Sequence, residues 1–396
     1  MARARCGAAM PTERTAMGGA VVRWCGPDVR RTTAVPDALY AVVRRGAVPP
    51  STRGHIRMRI SAPRKAVSGA ALGALLLTGM SAATAQAAPE KYSIAAAQAP
   101  AVKTVYANTA AAASCKFNTI TITRTSMCMD VGARIDLLKN GKPFGSATFE
   151  IKHAMTLKTN KLKWAESFTV GKAKLVNAGG ISVNVSVGGG KGVKTAVKFP
   201  QGSTLGSAHK GTVGYAASVG KKKQLASPAS YRFTFTKPGY TIGGFTYNSA
   251  KYRCDDTFWG TKKRTKNPGC VFPSYSPVFT LSRSDAKVKQ SANHILDAQR
   301  KIAGHPGASA PLHRITNEKT INAHRKAMCA KVHNPDPKKY DCDEYPFAAS
   351  KEGGNPARGS TRIIFLGDNR SAGARLGGFY KTQRVLNGDG YYVRIK

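Results

Sequence analysis

A chain of 396 residues is long enough for two or three domains. Its 62 Lys and Arg against 20 Asp and Glu give a formal charge of +42. Such an excess favours a polyanionic partner whose binding weakens with salt. Nucleic acids and anionic cell-wall polymers respond to the same field, so composition alone selects no ligand.

The N-terminal region has the composition of an exported chain. Residues 1–57 are rich in Arg, Ala and Pro and show no sustained apolar period, so we interpret them as an untranslated or disordered extension. From Met58 a basic stretch is followed by an apolar run and the small-residue triplet at 85–87, which is typical of a secretory signal peptide over 58–87. A membrane span is the weaker alternative, because the apolar run is short and interrupted by glycine. The mature chain keeps 49 basic against 17 acidic residues, a formal charge of +32.

Six cysteines follow the signal peptide. Exported chains favour disulfides, and no CxxC or HxxxH set accompanies these cysteines as it does in zinc sites. The spacing in sequence favours local pairing, although several connectivities are open. The predicted pairs are Cys115 with Cys128, Cys254 with Cys270, and Cys329 with Cys342.

Residues 88–114 are Ala-rich and lack periodicity, so they are interpreted as a linker. From 115 to 283, apolar and polar residues alternate in short runs separated by turn signals, which predicts an antiparallel all-β domain, sandwich-like, of unassigned role. Its clearest runs are 119–123, 146–151, 181–187 and 231–235, with turns at Asn140-Gly141, Gly188-Gly189-Gly190 and Pro238-Gly239. Segment 188–194 contains Gly and Lys but lacks the spacing of a phosphate loop, so a hairpin turn is predicted there.

The pattern changes after this β region, and residues 284–396 are predicted to form a small α+β domain. Apolar residues at helical spacing predict helices over 288–303 and 318–331. Strand-like runs follow at 361–366 and 390–395.

Two polar clusters in this domain are candidates for chemistry. Asp341, Asp343 and Glu344 concentrate three carboxylates in a chain that is poor in acids. Hydrolysis of a phosphodiester calls for a cation that lowers the pKa of a water molecule, and carboxylate and amide oxygens hold cations of the Mg²⁺ type. The alternative is a turn or a helix cap, which uses the same residue types.

The second cluster contains Asp368, Asn369 and Arg370, directly after a predicted strand. An Asn oxygen can complete the shell of a hard metal, and an Arg can clamp a phosphate through two donors. We expect the two clusters to meet across a sheet, although this one also has the composition of a β-turn.

Histidines are the alternative general bases, because a neutral imidazole can deprotonate water. His294, His324 and His333 lie in this domain. Each has a plain alternative as a packed or surface residue, and His294 ranks first.

The ordered motifs of the C-terminal region resemble those of the NucA/NucB family of small secreted bacterial deoxyribonucleases. The resemblance rests on Asp341-Cys342-Asp343-Glu344-Tyr345-Pro346-Phe347-Ala348, on 351–354, and on Asp368-Asn369-Arg370-Ser371-Ala372-Gly373-Ala374. His294-Ile295 and the closing segment 388–393 fit the same pattern.

The resemblance implies a largely sequence-non-specific endonuclease with one divalent metal ion, Mg or Mn, and a fold related in plan to the ββα-metal nucleases. Carried over, Asp343 matches the principal catalytic aspartate, Glu344 stands beside it, and Asn369 matches a metal-binding amide. Asp368 is a further candidate ligand, and Arg370 is a candidate for phosphate contact.

The sequence departs from the family pattern at two places. Cys342 stands where an Arg is expected, which makes sense if Cys342 pairs with Cys329 and braces the acidic segment. Segment 379–383 supplies no acidic counterpart.

The sequence thus predicts a secreted, extracellular deoxyribonuclease that binds DNA, or RNA as well, through its phosphates. The rival prediction is a non-catalytic secreted binder of nucleic acid or of an anionic cell-wall polymer. A contact toxin is a third possibility, without a delivery signature.

Overall fold

The computed structural model describes residues 90–96, 102–107, 115–258 and 267–396, all within the compact unit Ala83–Lys396. The predicted extension 1–57 and signal peptide 58–87 lie outside the described residues. Two hydrophobic cores are present, one formed by residues between Ile94 and Phe272 and one by residues between Phe279 and Val393. We call the parts around them the β lobe (up to 277) and the C-terminal lobe (278–396).

The β lobe is built of strands in which buried and exposed residues alternate, as the sequence predicts for half-buried strands. In chain order these are β1 Tyr92–Ala96, β2 Lys103–Tyr106, β3 Thr119–Ile122, β4 Ser126–Lys139, β5 Lys142–Thr156, β6 Lys163–Val170, β7 Lys174–Val176, β8 Ser182–Gly188, β9 Val193–Lys198, β10 Ser203–Thr204, β11 His209–Ala217, β12 Gln224–Ser227, β13 Ser230–Thr236, β14 Tyr240–Thr241, β15 Gly243–Asn248, β16 Tyr252–Asp255 and β17 Gly269–Val271.

Two sheets face each other to form a sandwich. The larger has the order β14-β1-β4-β5-β6-β11-β9, with β2, β3 and β7 at its sides, and the smaller has the order β10-β8-β13-β15. Ring contacts join them, as between Phe149 and Phe235 at 5.9 Å. Asn140 and Gly141 adopt φ of 51° and 79° in the turn between β4 and β5, as that type of hairpin requires. The described residues of this region are thus largely β, as the sequence predicts, and the residues of the two sheets share one core.

The structure corrects two details of the β region. The segment interpreted as a linker supplies β1 and β2, which pair with β4 and β3 respectively. The turn predicted as a hairpin at 188–194 connects β8 to β9, but these strands belong to different sheets. Gly-rich segments permit both kinds of turn, and local sequence does not distinguish them.

The C-terminal lobe is α+β. Its elements are β18 Val278–Leu281, α1 Lys289–Lys301, β19 Leu312–His313, α2 Glu318–Cys329, β20 Tyr340–Tyr345, a 3-10 helix Pro356–Arg358, β21 Ser360–Phe365, α3 Leu366–Thr382 and β22 Gly390–Ile395. β22 lies between β18 and β19, and β20 pairs with β21 in an antiparallel ribbon. The first two helices and the last two strands match the predicted elements. β18 falls before the predicted boundary at 283/284 but pairs with β22, so the change of core lies between Phe272 and Phe279.

Buried ionic contacts join the lobes. Asp389 accepts hydrogen bonds from Arg253 (2.7 and 2.8 Å) and from Arg124 (3.0 Å), both on the β lobe. Arg384, fully buried, donates to the carboxylate of Asp255 and to the carbonyl of Thr159. The lobes thus share an interface rather than a free linker.

All three predicted disulfides are present: Cys115–Cys128, Cys254–Cys270 and Cys329–Cys342. Within the part of the chain that the structure describes, no helix is both long and apolar enough to cross a membrane.

Candidate active-site cleft

The two polar clusters meet where the β20–β21 ribbon leads into α3. In the ribbon Asp341 is opposite Ile364, and α3 begins directly after β21. The first turn of α3 therefore lies beside the start of β20. The amide nitrogen of Asn369 donates a hydrogen bond of 3.1 Å to Asp341 Oδ2. The clusters lie together as expected, but the second one is a helical turn and not a β-turn.

A cleft of about 650 Å³ opens at this junction. It combines carboxylates with cations over an apolar floor that includes Ile295 and Leu376. Its charged and polar lining includes Asp341, Asp343, Glu344, Asn369, Arg325, Lys326 and Arg370. Arg370 is exposed and forms no ion pair among the described residues. A site of this kind can hold an anionic substrate next to groups that bind a cation or accept a proton.

On the side away from the cleft, Asp343 forms a hydrogen bond with a buried histidine. The Nδ1 of His294, on α1, lies 2.7 Å from Asp343 Oδ2, and its Nε2 lies 2.9 Å from the hydroxyl of Ser360 on β21. His294 is 0% exposed and does not line the cleft. Burial raises the pKa of the Asp343 carboxyl, while the hydrogen bond and charge of His294 oppose that rise.

Because neighbours on a strand point to opposite faces, Glu344 turns away from α1 and towards α2. Its carboxylate lies 3.9 Å from Arg325 Nε. Burial and the nearby charge of Asp343 raise the pKa of Glu344 to about 7, against the lowering effect of Arg325. Both acids still reach the same cleft, so they contact it from different sides.

Asp368 has another task than the one predicted for it. Its carboxylate accepts hydrogen bonds from the backbone N–H groups of Gln290 (2.8 Å) and Ser291 (3.0 Å) and from the Ser291 hydroxyl (2.6 Å). These groups lie in the first turn of α1, where Val288 at the N-cap offers no side-chain bond. Asp368 is buried, lies outside the cleft lining and caps α1, and its role as a metal ligand stays a prediction.

The other histidines lie apart from the acids. The Nδ1 of His324 donates to the carbonyl of Ala348 at 3.0 Å, and His333 is exposed on the segment after α2. Neither lines the cleft. Of the three candidates, the structure brings only His294 to a carboxylate of the site.

Sequence reasoning missed two members of the site. The motifs give Asp341 no role of its own. It lies two positions from Asp343, however, and therefore on the same face of a strand. Arg325 precedes Cys329 by one helical turn, and the disulfide from Cys329 ends on β20. Helical spacing combined with the predicted disulfide would have placed Arg325 beside the acids.

The donors suit a hard divalent cation, because carboxylate and amide oxygens are its usual ligands. The described residues contain no group of three His, Cys, Asp or Glu side chains arranged to hold a metal. Mg²⁺ commonly takes only one or two protein carboxylates and fills its shell with water and substrate phosphate. The residues therefore fit a water-rich Mg²⁺ or Mn²⁺ site and not a closed protein cage.

Fold and site together define a largely β protein whose C-terminal α+β lobe carries a polar cleft of mixed charge, suited to an anionic substrate. The family model for Deoxyribonuclease NucA/NucB matches residues 301–394. The chain thus carries a nuclease-family domain at its C-terminal end. No curated protein and no solved structure gives a significant match to it.

Proposed function

We propose that the protein is a secreted, metal-dependent endonuclease that hydrolyses DNA phosphodiester bonds with little sequence preference. The observation that carries the proposal is the cleft, in which Asp341, Asp343 and Glu344 face Arg325 and Arg370 inside the region matched by the family model. Contacts of Lys and Arg to phosphate carry no base information, so cleavage is sequence-tolerant.

Each side chain of the cleft has a role that follows from its position. Arg370, exposed and without an ion pair among the described residues, binds a phosphate oxygen. Glu344 accepts the proton of the attacking water as the new P–O bond forms, and the leaving alkoxide takes a proton from solvent as the old P–O bond breaks. Asp343, oriented by His294, and the amide oxygen of Asn369 are the groups that would hold the metal ion.

A bound Mg²⁺ or Mn²⁺ ion would supply charge stabilisation for the phosphate and would lower the pKa of a water molecule. The protein's part is to orient the carboxylates, as His294 does for Asp343 and Asn369 does for Asp341. The β20–β21 ribbon followed by α3 has the order ββα, which supports a relation in plan to the ββα-metal nucleases. The three disulfides support an extracellular location, because such bonds persist in oxidising compartments.

The presence of two cores supports two domains, an all-β domain over 115–283 and a nuclease domain over 284–396, with the boundary strand β18 belonging to the second. Their buried contacts indicate that they work as one body. A role in which the β domain alone carries the function, as a secreted binder, is the alternative.

The experiment that tests the proposal incubates the purified mature chain with plasmid DNA in Mg²⁺, with and without EDTA. We expect nicking that EDTA abolishes and that Asp343→Asn lowers at least about 100-fold. The matched control is Asp297→Asn, which removes an exposed acid of α1 that pairs only with Arg362 at the surface. It should cleave at the wild-type rate.

Metal-independent cleavage, or full activity in Asp343→Asn, would overturn the catalytic proposal. Binding of DNA without cleavage by the folded wild-type chain would support the alternative, a non-catalytic binder. Thermal melting of each variant separates loss of activity from loss of fold.

A further inference from the structure

The outer face of the larger sheet carries lysines that none of the functions described so far uses. We define the lysine face as the outward residues of strands β6, β9 and β11. Its lysines are Lys163, Lys194, Lys198 and Lys210, and between them lie Ala165, Ser167, Ala196, Thr212 and Gly214. All nine side chains or backbone positions are exposed.

Register places these residues on one surface. Ala216 of β11 is opposite Lys194 on one side and Lys163 on the other, and Thr212 is opposite Lys198. With ordinary strand spacing and rise, Lys194 lies roughly 10 Å from Lys163 across the sheet and roughly 13 Å from Lys198 along its strand. These separations exceed the screening length of about 8 Å at physiological salt, so the lysines act as separate contacts for an extended polyanion that spans several of them.

Nothing in the described structure neutralises this face. None of its four lysines forms an ion pair among the described residues. The one acid on the three strands, Glu166, points inwards and accepts hydrogen bonds from His153 and Tyr215. Ion pairs between an acid and a lysine are found instead on β4 and β5, where Asp130 and Glu150 contact Lys152.

The other sheet provides an internal comparison. Its outer face is also exposed and built of small polar residues, but Arg232 is its one charged side chain among β8, β13 and β15. The outer faces of the two sheets thus both consist of small residues, but they differ in charge. Of these two outer faces, the one on the larger sheet therefore carries the greater basic charge.

We propose that the lysine face is a docking surface for the phosphate backbone of duplex DNA. Charge complementarity carries the assignment, and small side chains between the lysines let a broad, stiff polyanion approach the sheet closely. The β5–β6 loop that precedes Lys163 contacts the C-terminal lobe, where Arg384 donates a hydrogen bond to the carbonyl of Thr159. We assign DNA to this face because it is the substrate proposed for that lobe. In this respect the inference rests on the proposed nuclease function, because the face would hold the substrate of the attached cleft.

The test measures binding of the full mature chain to a fluorescent duplex in EDTA, by anisotropy over a range of salt. The face variant combines Lys163→Gln, Lys194→Gln, Lys198→Gln and Lys210→Gln. The matched control removes four exposed, unpaired lysines elsewhere on the β lobe: Lys142→Gln, Lys172→Gln, Lys174→Gln and Lys251→Gln.

We expect the face variant to bind at least about 10-fold more weakly, with the slope of log K against log salt reduced by about 3 to 4, because each phosphate contact contributes about 0.9 to that slope. The control should change binding less than about twofold. Replacing the same four lysines with arginine should preserve binding, which shows that charge and not sheet stability is measured.

Equal weakening in the face variant and the control would overturn the proposal, since the charge would then act diffusely. A second arm measures binding to an anionic cell-wall polymer, and a face variant that loses this binding but keeps its binding to DNA would also overturn the proposal. Because binding is measured in EDTA, this outcome is independent of cleavage: the face can bind DNA even if Asp343→Asn shows that the cleft is not catalytic.

Discussion

Asp343 shows how one residue combines burial with polarity at the proposed catalytic centre. It is 6% exposed, and an unpaired carboxylate so deeply placed would be costly. The imidazole of His294 satisfies one of its oxygens, and the hydroxyl of Ser360 satisfies the imidazole in turn. His294 therefore acts through Asp343 as a positioning residue and has no access to a substrate.

We expect His294→Gln to lower the rate of DNA cleavage about 10- to 100-fold, the usual cost of losing a group that orients a ligand carboxylate. The loss should fall on kcat at saturating Mg²⁺ and leave KM for DNA close to wild type, because His294 does not contact the cleft. Plasmid-nicking kinetics measure both constants.

The control for this prediction is His333→Gln, since His333 is exposed and outside the cleft. A positioning role would be contradicted by a change confined to KM, or by an equal loss of rate in both variants.

At the scale of elements, helix α1 depends on a side chain that is distant in sequence. Its N-cap residue, Val288, makes no side-chain bond, and the carboxylate of Asp368 from α3 takes the free N–H groups instead. A negative charge is favourable at the positive end of a helix dipole. Since α1 carries His294, this cap also fixes the support of Asp343.

Replacing Asp368 with Ala should lower the free energy of unfolding by about 1–2 kcal/mol, the range found for lost helix caps. It should not change the Mg²⁺ concentration that gives half-maximal cleavage, because Asp368 does not face the cleft. Urea unfolding and a Mg²⁺ titration of nicking measure the two quantities.

Asn369→Ala is the companion variant: it lies in the cleft and should raise the Mg²⁺ requirement. If Asp368→Ala raised that requirement instead, with stability unchanged, the result would support Asp368 as a metal ligand and contradict a role confined to capping.

The disulfide between Cys329 and Cys342 serves the same region. It ties α2 to β20 and so holds Arg325 near Glu344. A covalent link over this short loop stabilises chiefly by restricting the unfolded chain. It also explains in physical terms why a cysteine can stand at 342 next to the acids.

At the scale of the whole molecule, buried ion pairs join the two lobes. Asp389 lies between Arg124 and Arg253, and the side chains of both arginines are at least nine-tenths buried. Burial by itself raises the pKa of Asp389, but the hydrogen bond from Arg253 and the charges of both arginines outweigh it, so the pKa lies below the ordinary 3.8. Such a carboxylate stabilises the fold above the unfolded pKa, and this stabilisation is lost as pH falls through the folded pKa.

We expect Asp389→Asn to lower the free energy of unfolding by about 3–5 kcal/mol at pH 7, because it leaves two buried guanidinium groups without their anion. The difference from wild type should begin to shrink as pH falls below 3.8, where Asp389 of the unfolded chain takes up a proton, and should shrink further as pH falls through the lower pKa of the folded state. Urea unfolding at pH 7, 5 and 3.5 measures this dependence.

Asp285→Asn is the control, since it removes a comparable ion pair with Arg375 at the surface. Its effect should be small at every pH. A constant difference between Asp389→Asn and wild type from pH 7 to 3.5 would contradict the linkage.

Periodicity and chemical type were sufficient for much of this molecule. Alternating residues identify the sandwich strands, helical spacing identifies α1 and α2, and the pairing of cysteines follows their nearness in sequence. The ordered acidic motif also identifies the nuclease-family domain, because a set of functional residues is compressed into local sequence. These features depend on residues that are close together in the sequence, so they can be predicted without knowing the tertiary structure.

Tertiary structure alone decided which polar residues share a site. Asp368 and Asn369 are adjacent in sequence, yet the helical turn of α3 sends one to cap α1 and the other into the cleft. His294 is buried behind the cleft and contacts Asp343, and the packing of α2 on β20 places Arg325 beside Glu344. α3 itself escaped prediction because four glycines interrupt its apolar pattern. The lysine face likewise needed the register of three strands, since side chains distant in sequence form one surface only when the sheet aligns them.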